Sequence, residues 1–127
     1  MRAGPYAELQ GVIYPSVSLD DPWVRLLAFG PEPPAPGWEH ERWDRWSLLV
    51  DRSEVTRLFW VRTTAVWSGW PVDVSRVEGD HAIFTYDGTG LPTDNPAIAR
   101  LGLFEWQGRV PPSELSEVVE TVVEVPV

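Results

Sequence analysis

The chain has 127 residues and a net charge of −9, with ten arginines, no lysine and no cysteine. The missing cysteine excludes disulfides, thiolate metal sites and a thiol nucleophile, and no apolar run approaches the ~18 residues that span a bilayer. The acidic balance argues against phosphate-neutralising contact with nucleic acid, which needs basic patches. It leaves solubility, or a basic partner, as the role of the charge.

In chain order, the N-terminal MRAGPYAELQG shows no apolar core followed by a small-residue cleavage site, so a cytoplasmic location is expected. Strands are expected over Ala7–Leu9, Val12–Val17 and Trp23–Phe29, with a tight turn at Gly11 and a polar turn at Leu19-Asp20-Asp21. A Pro-rich loop from Gly30 to Gly37 cannot be helix or inner strand. It leads into Trp38-Glu39-His40-Glu41-Arg42-Trp43-Asp44-Arg45-Trp46, a polar loop running into a strand at Trp46–Val50. Asp51–Val55 fits one 3₁₀ turn. Thr56–Trp67, β-branched and aromatic without Gly or Pro, reads as one long extended segment.

Beyond it the landmarks recur. Ala7 and Gly11 meet Ala65 and Gly69, and Val24, Leu26 and Gly30 meet Ala82, Phe84 and Gly88, all at an offset of 58. Trp46, Val50 and Ser53-Glu54-Val55 meet Trp106, Val110 and Ser113-Glu114-Leu115 at an offset of 60, so the drift lies in one loop. The second half is therefore expected to repeat the first. Its strands fall at Thr64–Trp67, Pro71–Val77, His81–Tyr86, Phe104–Val110 and Val118–Val125, with a 3₁₀ turn at Pro111–Leu115. Asp94, Pro96 and Gly102 further suggest a short helix over Asn95–Leu101, with Ile98 and Leu101 facing the barrel.

Four strands, a 3₁₀ turn and a fifth strand is the order of an SH3-like small barrel. The expected fold is mainly β: two tandem SH3-like barrels from an internal duplication, residues 1–62 and 63–127, fused rigidly without a linker. Closed barrels would remove the exposed edges of short amphipathic strands.

Chemistry is sparse. His40-Glu41-Arg42-Trp43-Asp44 spells H-E-x-x-D, but the zinc-protease motif needs two histidines one helical turn apart, and a third ligand is not evident. His81 has no G-x-S-x-G elbow to serve, and Gly88-Thr89-Gly90 is too short for a phosphate loop. No catalytic residue, metal or cofactor is expected. The loops carry the candidate partner-binding residues instead: Trp38, Glu39, Glu41, Trp43 and Asp44 in the first half, with Asp20, Asp21, Asp87 and Asp94 at the turns. Trp38 and Trp43 have two open roles, covering the barrel or meeting a partner.

The shared A-x-x-x-G, the apolar hairpin with an acidic turn and the late S-E-[VL] turn resemble small acidic proteins of high-GC bacteria encoded beside polymorphic or secreted toxins. The stretch RTTAVWSGWPVDVSRVEGDHAIFTYDG carries the likeness best. The resemblance implies an immunity protein: not an enzyme, but an antitoxin occluding the active site of a cognate toxin with a basic cleft acting on nucleic acid or nucleotide. It would make no direct contact with nucleic acid or membrane. A tandem SH3-like module for Pro-rich peptides, or an assembly subunit, is the other reading.

Overall fold

A computed structural model describes residues 1–17, 22–87, 96–102 and 105–127. Among these residues the chain is mainly β, with strands in two sheets and two short 3₁₀ turns. In chain order the strands are β1 (Gly4–Leu9), β2 (Val12–Pro15), β3 (Trp23–Phe29), β4 (Glu39–Arg42), β5 (Arg45–Asp51) and β6 (Arg57–Trp67). They continue with β7 (Trp70–Glu78), β8 (His81–Asp87), β9 (Ile98–Arg100), β10 (Glu105–Val110) and β11 (Leu115–Val125). The 3₁₀ turns are Arg52–Glu54 and Pro112–Glu114. The chain divides into two compact units: Pro5–Val61 with Val122–Val127, and Met1–Gly4 with Arg62–Thr121. Strands β6 and β11 each run from one unit into the other.

In the unit containing Pro5–Val61, β1 and β2 form a hairpin closed by Gln10 and Gly11 at φ 51° and 81°. Positive φ at both positions is what a type I′ turn requires, and that turn matches the twist of the flanking strands. Strands β3, β5 and β4 form an antiparallel sheet in that order. Strand β3 alternates, and its inward Val24 and Leu26 join Ala7, Val50, Val55 and Leu58 in one core. Fully burying each such side chain contributes about 1.5–3 kcal/mol. Trp38 lies over this core, its ring 5.1 Å from that of Tyr14. The 3₁₀ turn after β5 is closed by a capping box. Asp51 accepts from Ser53 N, and Glu54 accepts from Asp51 N.

In the unit containing Arg62–Thr121, the C-terminal part of β6 is followed by a meander of β7, β8, β10 and β9. Ser68 and Gly69, at φ 48° and 83°, make a second type I′ turn between Trp67 and Trp70. The β7–β8 turn has positive φ at Gly79 but not at Asp80, which suits a glycine-first type II′ turn. The core gathers Ala65, Trp67, Val72, Val74, Ala82, Phe84, Val110 and Leu115. Phe84 packs against Trp67, ring centroids 5.4 Å apart, with the outer edge of its ring over Gly108. A Cβ at Gly108 would overlap the Phe84 ring, so only glycine fits there.

Two expectations are overturned. Of the stretch expected to be helix, Asn95–Leu101, residues Ile98–Arg100 form β9, paired with Trp106–Gly108. Ile98 packs on the core as expected, but Leu101 is 56% exposed rather than facing it. The backbone groups of β9 find partners on β10, and that tertiary pairing outweighs a local cap-and-proline signal. Likewise Glu39–Arg42, read as loop, is a strand held by β5.

Candidate functional site

The β4–β5 hairpin gathers four of the candidate residues, Glu39, Glu41, Trp43 and Asp44. Its register pairs Glu39 with Ser47, His40 with Trp46 and Arg42 with Arg45, with a bulge between His40 and Arg42. The tip is therefore the two-residue turn Trp43-Asp44. Trp43 sits at φ 46°, in the left-handed region, with 82% of its surface exposed. For a bulky residue that conformation is an outlier costing about 1–2 kcal/mol. Strain of this kind persists only where its surroundings enforce it.

The enforcing contacts are present. The Trp43 carbonyl accepts from His40 Nε2. The His40 ring packs on Trp46 at 4.7 Å, and Trp46 Nε1 donates to the Gly30 carbonyl at 2.9 Å. Gly30 N in turn donates to the Asp44 carbonyl at 2.7 Å. The end of the Pro-rich loop's first residue is thus tied back to the hairpin tip. The Arg42 guanidinium lies 5.2 Å from the Trp43 ring centroid, a cation–π contact at an exposed site. Glu41 is held by Arg45 at 2.7 Å and by Arg25 at 3.6 Å. These partly exposed ion pairs contribute little stability, but they fix where the charges stand.

The sequence candidates therefore separate. Trp38 is half-buried and belongs to the core cover. Glu39, Glu41, Trp43 and Asp44 are exposed on the hairpin, and Asp87 is exposed at the end of β8 in the other unit. Asp20, Asp21 and Asp94 lie outside the described residues. The H-E-x-x-D run is a strand and turn, so His40 and Asp44 are not one helical turn apart as the zinc motif demands. Among the described residues no three His, Asp or Glu side chains come close enough to hold a metal ion. His81 Nδ1 lies 2.8 Å from Asp80 Oδ1 in an exposed hairpin turn.

Sequence reasoning missed an apolar patch on the outer face of the three-stranded sheet. Trp23 and Leu49 are 52% and 54% exposed, with Arg25 paired directly opposite Leu49. A hollow of about 200 Å³ lies beside them, lined by Arg25, Gly37, Glu39, Ser47, Leu48 and Leu49. The signal was available: Trp23 and Arg25 share one face of β3, opposite to that of Val24 and Leu26.

Compared with known protein families, with curated proteins and with solved structures, the chain matches none. Among the described residues no helix is long and apolar enough to cross a membrane.

Proposed function

We propose that this chain is an immunity protein: a non-enzymatic antitoxin that binds a cognate bacterial toxin and covers its active site. Trp43 carries the reading. A protein gains nothing in its own stability from a tryptophan held out to solvent in a strained backbone, whereas a rigid aromatic anchor is what dominates binding energy at interfaces. The acids around it, Glu39, Glu41 and Asp44, suit a partner with a positive cleft acting on nucleic acid or nucleotide. With a net charge of −9, association would be fast at low salt and slow steeply as salt rises.

We further read the chain as two SH3-like halves from one duplication. Support comes from the matching turns at Gln10-Gly11 and Ser68-Gly69. It comes also from the 3₁₀ turns Arg52–Glu54 and Pro112–Glu114, each followed at once by an extended residue, Val55 or Leu115. The protein would act in the cytoplasm, where such toxins find their substrates.

The test is co-expression with the toxin encoded beside this gene. The wild-type chain should restore growth and co-purify with the toxin, and Trp43→Ala should lose both while remaining folded. Restoration by Trp43→Ala at wild-type strength refutes the role of the hairpin. Micromolar binding to diverse Pro-rich peptides, with no protection from a neighbouring toxin, would instead make the chain a tandem peptide-binding module.

A further inference from the structure

A second surface lies away from the hairpin, in the unit containing Arg62–Thr121. Among the described residues β11 has β6 as its only neighbour, so its other edge presents unpaired N–H and C=O groups. From Ser116 to Thr121 every residue is exposed, including the adjacent Val118 and Val119 at 40% and 58%. Adjacent strand residues point to opposite faces, so both faces of this edge are uncovered. Beside it is a groove of about 310 Å³ whose lining includes Thr64, Val66, Pro71 and the acidic residues Asp73 and Glu117. Neither carboxylate has an ion-pair partner among the described residues, whereas Glu120 is held by Arg2. Glu117 stands at φ 50°, interrupting the regular strand beside the groove.

We propose that this edge takes up an extended segment of a basic protein partner as an added strand. Its β-branched residues would lie along Val118 and Val119, and one lysine or arginine would enter the groove. The lining fits such a side chain: Val66 and Pro71 meet the alkyl stem, and Asp73 and Glu117 meet the charged head. A second copy of the chain fits poorly. It would set Glu117 and Glu120 against another acidic strand, with no lysine or arginine between Ser116 and Thr121 to receive them. The inference does not depend on the toxin reading, since a chain that protects against no toxin would still bind the strand.

The experiment titrates the full chain with a blocked peptide, Thr-Val-Lys-Val-Arg-Val-Thr, at low ionic strength and follows backbone amide shifts by NMR. Two control peptides replace the basic residues by Glu and Asp, or the second and third valines by proline. Shifts are expected along Ser116–Thr121 and Thr64–Asp73 for the basic peptide only. The isosteric pair Asp73→Asn and Glu117→Gln should weaken binding about tenfold without changing the thermal midpoint. The inference fails if the acidic peptide binds equally well, if the proline peptide binds, or if shifts miss Ser116–Thr121. It fails too if sedimentation shows a concentration-dependent dimer that Val119→Lys abolishes, for the edge would then belong to a second copy.

Discussion

Replacing Trp43 separately by glycine and by alanine isolates the backbone strain at the hairpin tip. Both substitutions remove the ring and its contact with Arg42, worth about 0.5 kcal/mol at an exposed site, so that loss cancels between them. Alanine keeps a Cβ and so keeps the left-handed penalty of about 1–2 kcal/mol imposed by φ 46°. Glycine escapes it but loses about 0.4–1 kcal/mol through the greater freedom of its unfolded chain. The glycine variant should therefore be more stable than the alanine variant by about 0.5–1 kcal/mol, against the usual order in regular structure. Urea unfolding followed by the remaining tryptophans gives the difference as a shift in midpoint at constant slope. An alanine variant as stable as the glycine one would mean that the tip is not held left-handed. Trp43 would then be an ordinary exposed side chain, with no strain to set it apart as a partner anchor. Under the proposed function, which sets the ring against the partner, both variants should lose toxin protection to the same extent.

Three further outcomes follow from the packing. Trp38→Ala, which uncovers Tyr14 and the core beneath it, should cost about 2–3 kcal/mol yet leave partner affinity unchanged once stability is corrected for, as titration calorimetry below the melting range would show. Gly108→Ala drives a methyl into the buried Phe84 ring and should cost at least ~3 kcal/mol; a change below ~0.5 kcal/mol in urea unfolding would contradict the contact. Asp51, whose carboxylate accepts from Ser53 N and Oγ, has its pKa lowered from the ordinary 3.8. A lowered folded-state value means that the cap's stabilisation is complete above that ordinary value and is lost as pH falls below it. Asp51→Asn should therefore flatten the acid limb of the stability profile below about pH 4; an unchanged limb would refute the cap.

Most strands were legible because one face of each is buried, so apolar and polar residues alternate. Val24 and Leu26 mark β3 in this way, and Leu58 through Trp67 marks β6 as a single strand. Strand β4 was not legible for the converse reason. Glu39-His40-Glu41-Arg42 is exposed throughout and is extended only because β5 supplies its hydrogen bonds. The same cause misled the reading of Ile98–Arg100, where punctuation by Asp94, Pro96 and Gly102 pointed to a helix and pairing with β10 decided otherwise. At the hairpin, composition singled out the right residues but could not sort them. Trp38 and Trp43 stand five positions apart in similar company, and only the turn between Arg42 and Arg45 makes one a cover and the other a tip.

The unit built on Pro5–Val61 is discontinuous in sequence, which has a consequence for synthesis. The unit built on Pro5–Val61 also takes Val122–Val127: Val125 packs on its core, Glu124 pairs with Arg57, and Arg52 donates to the Pro126 carbonyl. A ribosome that has made only this earlier stretch has released a body still missing a side of its wall. That body stays unfinished until Val122–Val127 emerge, after all of Arg62–Thr121 has been made.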